Sequence, residues 1–494
     1  MKPKPKTPHR KADSELVSDK VNISKNPGPT LGVTAHSCPA DIAGAFLDAQ
    51  GYRSQDGLLV RWYRSEWLRY QGKVFVLVPT EEFKAEIMDF LQGTQARAHA
   101  RRSFVGDIVA NLEGLCRMVP PTVTLPVRWN GAEYMPQPDC VVVQNGIVDL
   151  KELFLGKTKG VLTPHTPSFV SQICLPFEFK PGVRCPRWQK FLNQVLPDAE
   201  SRQLLQEIFG YCLTFDTSQQ KFFMFEGMGS NGKGVVTNVL TKLLGAANIS
   251  NLPLESFGKD HDPVVTLGKL VNITSEVGDL DRVAEGLLKQ FTGEDIMHFN
   301  PKYKTPFSAK PTARLLISTN VRPPFRDKSE GLWRRLILLP FSVTIDEKKR
   351  DTHLAERLVS ELSGIFNWAV EGAQALRERK RFIEPKISQE AQAAFKRESN
   401  PARMFLEEIY IAHPGGESSK TDVYKEYTEF CDTGRYKALS KHNFEKEVER
   451  VFPKVKEARP RQGESRPRIY LGISSKESIE RQKDDDWGDD DKAA

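Results

Sequence analysis

The chain has 494 residues, enough for roughly two to four domains that each bury a sizeable core. Its net charge of +7 and pI near 8.8 permit a polyanionic partner without establishing one. No apolar run has membrane-spanning length and the lysine-containing start lacks a signal-peptide core, so we expect no membrane partner. The seven scattered cysteines form no C-x-x-C pair, which favours reduced thiols in a cytoplasmic protein over disulfides or zinc.

The first third of the chain is predicted in two parts. Residues 1–35 are rich in Pro, Lys, Ser and Asp and predict a disordered basic arm, either a solvated tail or a weak nucleic-acid contact. Residues 36–165 predict an N-terminal α/β region of unclear role, with a hairpin turn at Asn145-Gly146. An aromatic and basic cluster from Arg61 to Tyr70 could stack on nucleic acid, but core packing is the stronger interpretation. No pair of carboxylates with a supporting histidine indicates a polymerase or primase site here.

A helical segment at 166–215 leads into the stretch around which the chain is organised. Phe222 to Phe225 predict a buried strand, a glycine-rich turn follows, and apolar residues at helical spacing after Lys233 predict a helix. Strand, glycine loop, lysine and helix in this order predict a phosphate cradle for ATP, in which backbone N–H groups and Lys233 contact the phosphates. The expected nucleotide-binding residues are Gly227, Gly229, Ser230, Asn231, Gly232, Lys233 and Gly234.

The G-x-x-x-x-G-K string is weak alone and gains its specificity from the strand before it and the helix after it. Gly234 stands where a Ser or Thr usually helps to hold Mg²⁺. We therefore expect the metal to depend on phosphate oxygens, water and a distant carboxylate. Thr237 lies a turn further along the helix, too deep to substitute.

Two later apolar runs end in polar side chains suited to ATP hydrolysis. The run at 270–274 predicts a strand neighbouring the loop strand, and Glu276 after it is the candidate that orders Mg²⁺ and polarises the attacking water. The run at 315–318 ends at Asn320, whose amide could contact the γ-phosphate or the water. Arg334 and Arg335 precede another strand; such pairs are usually surface charges, but in an oligomeric ATPase they can reach the neighbouring subunit's γ-phosphate.

Residues 296–314 predict a basic hairpin with Lys302, Tyr303 and Lys304 near its bend. If subunits form a ring, this hairpin can enter the pore and grip the nucleic-acid backbone, whereas a solvated hairpin is the alternative.

The end of the chain is predicted in three parts. Residues 346–400 form a helical extension that breaks at Ser399-Asn400-Pro401. Residues 401–475 predict two helices and a basic hairpin, the outline of a winged helix, although a solvated hairpin is again the alternative. Residues 476–494 are an acidic tail, expected to be disordered, that either solubilises the chain or docks on basic surfaces. The wing residues expected to contact DNA are Arg459, Arg461, Arg466 and Arg468.

The motifs EGMGSNGKG, LVNITSE, LLKQFTGEDIMHFNPKYK, LLISTN and GLWRRLILLPF, in this order, resemble superfamily 3 helicases of the phage, plasmid and poxvirus primase-helicase type. ESNPARMFLEE and RIYLGI resemble the linker and winged-helix end of that family, so the resemblance covers residues 140–475. It implies an α/β fold with an AAA+ P-loop core at 216–345 that assembles into a hexameric ring. It also implies ATP hydrolysis with Mg²⁺ at subunit interfaces and 3′ to 5′ movement on single-stranded DNA.

Carried over by position, Lys233 binds phosphate, Glu276 is the Walker B acid, Asn320 is sensor 1, and Arg335 or Arg334 is the finger given in trans. Gly234 departs from the usual hydroxyl, and Ser275 precedes Glu276 where many relatives have a second acid. The first 140 residues are too short for the fused primase of many relatives and lack its motifs.

The sequence thus predicts a replicative helicase without its own primase, from a phage, plasmid or other mobile element. It would act on single-stranded and forked DNA beside a separate primase or polymerase, in the cytoplasm of a bacterial host or a virus-infected cell. The alternative is an origin-binding initiator whose ATPase melts or remodels duplex DNA without processive unwinding. A packaging motor fits the Asn320 and Arg335 pattern less well.

Overall fold

A computed structural model of the chain describes residues 32–118, 124–259, 262–274, 285–302, 306–323, 325, 330–346, 351, 353–434, 436–459 and 468–480. The predicted basic arm up to residue 31 and the acidic tail from residue 481 lie outside these ranges, whereas 476–480, assigned to that tail, are helical. Within these ranges no helix has the length and apolar character needed to cross a membrane. The described residues divide into two compact units: those up to Glu152 together with Lys159–Cys174, and Leu153–Thr158 together with those from Leu175 onward.

The first unit packs helices on small antiparallel sheets, with strand orders β3-β4-β5, β11-β6-β7 and β10-β9-β8. The predicted hairpin is confirmed, since β8 pairs with β9. Its turn is Gln144-Asn145, one residue earlier than predicted, because Gly146 begins β9 and lies opposite Val143. The elements up to residue 170 are α1 (Pro39–Ala49), β1 (Arg53–Ser54), β2 (Gly57–Leu58), β3 (Val60–Tyr63), β4 (Glu66–Tyr70), β5 (Phe75–Val78), α2 (Thr80–Gln92), α3 (Arg102–Leu115), β6 (Val127–Trp129), β7 (Tyr134–Pro136), β8 (Cys140–Val143), β9 (Gly146–Asp149), α4 (Leu150–Phe154), β10 (Leu162–Thr163) and β11 (Phe169–Val170).

The aromatic and basic cluster of this unit belongs to its core. Trp67 is buried and stacks on Phe83 with ring centroids 4.3 Å apart. Arg61 is also buried, and Arg69 forms an ion pair of 2.6 Å with Glu86. Core packing, the stronger interpretation of these residues, is therefore confirmed.

The second unit is built on a parallel sheet of five strands in the order β13-β14-β17-β12-β18. Every residue from Phe222 to Phe225 is buried, as expected for a strand covered on both faces. The predicted α/β class is confirmed, and the structure adds that this sheet is parallel. The elements of this unit are α5 (Pro186–Val195), α6 (Ala199–Tyr211), β12 (Phe222–Glu226), α7 (Lys233–Leu244), β13 (Ile249–Ser250), β14 (Val271–Thr274), α8 (Glu285–Thr292), β15 (Met297–Phe299), β16 (Phe307–Ala309), β17 (Arg314–Thr319), α9 (Glu330–Trp333), β18 (Leu336–Pro340), α10 (Leu354–Val359), α11 (Leu362–Arg379), α12 (Lys386–Glu398), α13 (Pro401–Ile409), β19 (Tyr410–Ser419), α14 (Lys420–Gly434), α15 (Lys441–Val451), β20 (Lys456–Ala458) and β21 (Ile469–Ser475).

One expectation about the sheet is wrong. The sequence predicts that β14, the strand that leads to Glu276, neighbours β12, but β17 lies between them. The two strands are therefore two positions apart, roughly 10 Å at the usual strand spacing. The physical reason is that a crossover between parallel strands can skip a position, and no local pattern in the sequence specifies which position it takes.

Helices α6 and α11 cross in backbone contact beside the sheet. A Cβ built at Gly372 would collide with the backbone carbonyl of Gln206, and one built at Gly210 would collide with that of Ala369. Glu207 is fully buried at this crossing and pairs with Arg379 at 2.7 Å. Glycine is therefore required by packing where these two helices meet.

The C-terminal part of the second unit combines α13, α14 and α15 with an antiparallel sheet of order β19-β21-β20. Tyr427 of α14 stacks on Phe444 of α15 with centroids 4.4 Å apart. The sequence predicts the two helices and the closing hairpin, β20 with β21. It does not predict strand β19, which pairs with β21 on its other side.

The helix crossing yields a stability test with the change Gly372→Ala. Since the added methyl meets backbone atoms of α6, we expect a loss of about 1–3 kcal/mol in the free energy of unfolding. Urea unfolding followed by tryptophan fluorescence measures it.

The control is Gly106→Ala in α3, where no other described part of the chain places an atom within 4 Å of the new Cβ. That variant should be as stable as wild type, or up to about 1 kcal/mol more stable. Equal midpoints for both variants would contradict the close crossing.

Candidate functional site

The loop between β12 and α7 turns through left-handed backbone. Gly229, Ser230 and Gly232 have φ values of 97°, 52° and 87°. A Cβ at Gly232 would lie 2.7 Å from Val195 Cγ1, so this glycine also lets α5 approach the start of α7. Left-handed residues just before a helix N-terminus turn backbone N–H groups toward one point, which is the geometry that binds anions.

Gly227 is held against two neighbours. A Cβ built there would collide with Nδ2 of Asn231 and would lie 2.5 Å from the carbonyl oxygen of Phe341. Asn231 is buried, donates to that same carbonyl at 3.1 Å, and has its Oδ1 3.4 Å from the backbone N of Lys233. The sequence predicts Asn231 as a nucleotide-binding residue. The structure places its side chain inside the loop, where its hydrogen bonds stabilise the conformation of the loop.

Lys233, the first residue of α7, is buried, and its ammonium is bonded to neutral oxygens. Nζ donates to the carbonyl of Gly227, to Oδ1 of Asn320 at 3.0 Å and to Oδ1 of Asn231 at 3.4 Å. These acceptors account for all three protons of the ammonium. Burial lowers the pKa of Lys233, and the negative charge of Glu226 opposes that shift.

The sheet register brings Asn320 to this lysine. Strands β12 and β17 are neighbours, with Phe225 opposite Ser318 and Glu226 opposite Thr319. The residues that follow both strands, Gly227 and Asn320, therefore emerge side by side. Two site residues that the sequence predicts from separate motifs thus meet at the carboxyl edge of the sheet.

The structure does not bring Arg334 and Arg335 to this point. They precede β18, whose first residue, Leu336, lies opposite Phe222 at the start of β12. The length of the strand, roughly 16 Å, separates them from the loop of their own chain. Arg334 is exposed, whereas Arg335 is half-buried and donates from Nη1 to the carbonyl of Gly331 at 2.8 Å.

Several predicted residues lie outside the described ranges, so the structure gives no account of them: Glu276, Tyr303, Lys304, Arg461 and Arg466. The predicted hairpin at 296–314 is confirmed as an antiparallel pair, in which His298 of β15 lies opposite Ser308 of β16. Lys302 follows β15 and is exposed. Arg459 and Arg468, which flank the undescribed part of the second basic hairpin, are exposed as well.

Sequence reasoning missed part of the site. The loop opens into a cavity of about 940 Å³, whose wall also includes residues of α5 and α10. Glu361 holds α5 in place, because its carboxylate accepts from the backbone N of Trp188 at 3.0 Å. Single charged residues on amphipathic helices give no motif, so nothing in the sequence distinguished them. The basic side chains lining the cavity beyond the loop are Arg187, Lys190 and Arg357.

The space beside Gly234 is open. No other described part of the chain places an atom within 4 Å of a Cβ built at Gly234. The hydroxyl of Thr237 is bonded to the carbonyl oxygens of Lys233 and Gly234, both at 3.1 Å. Thr237 is therefore engaged with its own helix.

Three family models match parts of the chain. Residues 50–197 match "D5 N terminal like", residues 225–335 match "Family of unknown function (DUF5906)", and residues 399–477 match "RFX DNA-binding domain".

Among curated proteins, the chain is similar to "Putative helicase 022R" of Frog virus 3 (isolate Goorha), 25% identical over 282 residues, which are 52% of this chain and 29% of that protein. It is also similar to "Putative helicase L207/L206" of Acanthamoeba polyphaga mimivirus, 24% identical over 40% of this chain and 21% of that protein. "Primase D5" of Fowlpox virus (strain NVSL) is 20% identical over 44% of this chain and 29% of that protein. The matches thus span less than a third of each relative. The predicted resemblance to viral primase-helicase proteins is confirmed at this level.

A solved structure, "The A form apo structure of NrS-1 C terminal region-CTR", aligns with 88% of this chain and 100% of that chain. The TM-score is 0.46 and the sequence identity 11%.

The loop geometry predicts opposite outcomes for two glycines. Gly227→Ala should lower the free energy of unfolding by about 1–3 kcal/mol, because its methyl meets Asn231 and the Phe341 carbonyl. Gly234→Ala, the control, should be as stable as wild type or up to about 1 kcal/mol more stable, since its methyl enters open space on helix α7. Thermal unfolding of the two purified variants measures the difference, and a Gly227→Ala protein as stable as wild type would show that the loop is not braced in this way.

Proposed function

We propose that this chain is an ATP-dependent DNA helicase that serves replication of a virus, phage, plasmid or other mobile element. The observation that supports this most is the meeting of Lys233 and Asn320 beside a left-handed glycine loop, at the carboxyl edge of a parallel sheet. In the proposal this region is an AAA+ P-loop core of the superfamily 3 type. The similarity to viral proteins named as helicases supports the same interpretation.

In this proposal the triphosphate of ATP binds in the loop. Lys233 exchanges neutral oxygen acceptors for phosphate oxygens, and hydrogen bonds between charged partners are the stronger kind. Backbone N–H groups of Gly229 to Gly234 surround the phosphates, and the N-terminus of α7 adds its positive dipole end. Arg187 and Lys190 of the cavity wall contribute further positive charge, whereas Arg357 is paired with Asp351 of the same wall. Asn320 then orients the attacking water or contacts the γ-phosphate.

Mg²⁺ would neutralise charge on the phosphates when bound. Gly234 has no hydroxyl and that of Thr237 is bonded within its helix, so we propose that Glu276 supplies the protein's carboxylate. Glu276 would also polarise the attacking water.

The arginines complete the site only from another subunit. Because Arg334 and Arg335 lie at the amino edge of the sheet, they are far from the loop of their own chain. A ring, hexameric in the proposal, would place this edge against the neighbour's loop, where an arginine stabilises charge in the transition state.

DNA would be bound by two basic segments. The hairpin of β15 and β16 carries Lys302, Tyr303 and Lys304 toward the pore of the ring. The C-terminal part, which matches "RFX DNA-binding domain", would act as a winged helix. Its proposed phosphate contacts are Arg459, Arg461, Arg466 and Arg468.

The match of residues 399–477 to a DNA-binding domain also favours a second candidate, an origin-binding initiator whose ATPase melts or remodels duplex DNA. Sequence-specific binding that survives loss of the ATP site would favour the initiator. ATP-dependent strand displacement on forks of arbitrary sequence would favour the helicase.

The helicase proposal predicts polarity and a dependence on Lys233. Wild type should displace the labelled strand of a fork with a 3′ single-stranded tail, but not one with a 5′ tail alone. Lys233→Ala should lose hydrolysis and displacement, because no ammonium then neutralises the negative charge of the phosphates. The variant should keep its fold. Gel analysis of both forks with ATP and Mg²⁺, with circular dichroism of the variant, measures this.

EDTA added to wild type is the control for the metal. DNA-stimulated hydrolysis without any displacement would shift the conclusion to the initiator, and full hydrolysis by Lys233→Ala would refute the site.

The finger proposal predicts complementation between two inactive variants. Arg334→Ala should bind ATP without hydrolysing it. On its own it should therefore show no ATPase activity, and neither should Lys233→Ala. Mixed in equal amounts before assembly, the two should regain activity at about a quarter of sites, because a site then needs Lys233 from one subunit and Arg334 from its neighbour.

Arg335→Ala is the matched comparison. Since Arg335 is half-buried and bonded to Gly331, we expect its loss to lower stability as well as turnover. If only Arg335→Ala is complemented, Arg335 is the finger; if neither variant is, the arginines do not act in trans.

A further inference from the structure

Arg322 lies between two carboxylates at the candidate site. Its Nε and Nη2 bond the carboxylate of Glu226 at 2.5 and 2.9 Å, and its Nη1 lies 2.9 Å from both oxygens of Glu398. The guanidinium also lies over the ring of Phe395, 5.6 Å from its centroid. A planar guanidinium that donates to two carboxylates fixes their relative position, because its donors point in fixed directions. A lysine ammonium has no such fixed directions.

The two carboxylates belong to different parts of the unit. Glu226 is the last residue of β12, directly before Gly227, and Glu398 is the last residue of α12. Arg322 itself follows Asn320 by two residues. The guanidinium thus ties the nucleotide loop and the Asn320 segment to the end of α12.

The same segment continues into the C-terminal part. Asn400 follows Glu398 by two residues, caps the start of α13, and donates from Nδ2 to Oε1 of Glu447 at 2.8 Å. Glu447 lies in α15 and is buried. A short run of bonded residues therefore extends from the loop to the second helix of the proposed DNA-binding part.

Binding of a phosphate at Lys233 would require a second arrangement at this end of the run. All three protons of the Lys233 ammonium are engaged, one of them by Asn320. A phosphate oxygen that bonds Lys233 must displace one of these acceptors. If Asn320 is the acceptor displaced, the segment that carries Arg322 would be released from Lys233, and the ion pairs of Arg322 with Glu226 and Glu398 would link any shift of that segment to α12.

We infer that Arg322 is a positioning residue that couples occupancy of the nucleotide site to the DNA affinity of residues 399–477. The inference rests on the proposed function, because it takes the loop as an ATP site and the C-terminal part as a DNA site. Coupling of this kind is reciprocal: the factor by which nucleotide changes DNA affinity equals the factor by which DNA changes nucleotide affinity.

The test measures this factor in the full chain. Affinity for a fluorescent duplex oligonucleotide is measured without nucleotide and with a saturating non-hydrolysable ATP analogue and Mg²⁺. Wild type should show a ratio of roughly 5 to 150 between the two conditions. In Glu398→Gln the ratio should fall to within about twofold of one, while affinity for each ligand alone stays within about threefold of wild type. The Glu398 side chain is 49% exposed, so we expect this variant to fold, which circular dichroism checks.

Glu408→Gln is the matched control. Glu408 forms an ion pair of 3.4 Å with Arg397 at the same junction and is 45% exposed, but it does not contact Arg322. It should keep the wild-type ratio.

An unchanged ratio in Glu398→Gln, or an equal loss in Glu408→Gln, would overturn the inference. A wild type that binds both ligands with a ratio of one would overturn the inference alone. A wild type that binds no nucleotide or no DNA would refute the proposed function, and the inference with it.

Discussion

The pairing of β12 with a strand on each side is the constraint on which the site depends. Phe225 lies opposite Ser318 of β17 and Leu339 of β18, so the ends of three strands meet at one edge. From that edge Gly227 reaches the Phe341 carbonyl and Lys233 reaches Asn320. A slip of one residue in either pairing would turn alternate side chains to the wrong face and separate these groups. The continuous burial of β12 makes such a slip costly.

Local patterns in the sequence are enough to predict much of this arrangement. The apolar run of β12, the helical spacing of α7 and the hairpin of β8 and β9 are each specified by neighbouring residues, and the structure has all of them, although the hairpin turns one residue earlier than predicted. The order of the strands is not predictable in this way, because the position of β17 depends on pairing between distant segments. Strand β19 is missed because Pro414, Gly415 and Gly416 interrupt its pattern.

In the candidate site, too, some residues are predictable from local patterns and others are not. Lys233 and Asn320 are predicted because each follows an apolar strand in a motif. The cations of the cavity wall and the ion pairs of Arg322 belong to no motif, since a charged residue on a helix is ordinarily only solvated. Asn231 is predicted to bind nucleotide because it lies in the glycine-rich loop. Its side chain instead turns inward, where its amide donates to the carbonyl oxygen of Phe341.

At Gly234 the packing of the loop and the chemistry of the loop place separate requirements on the residue, because the space beside it is open. Elsewhere in the loop a side chain is excluded, by packing at Gly227 and by both packing and left-handed backbone at Gly232. At position 234 a hydroxyl-bearing residue could be added or lost during evolution with no repacking of the fold. In the proposed ATP site, the residue at position 234 could therefore vary with the metal ion that is used, independently of the surrounding architecture.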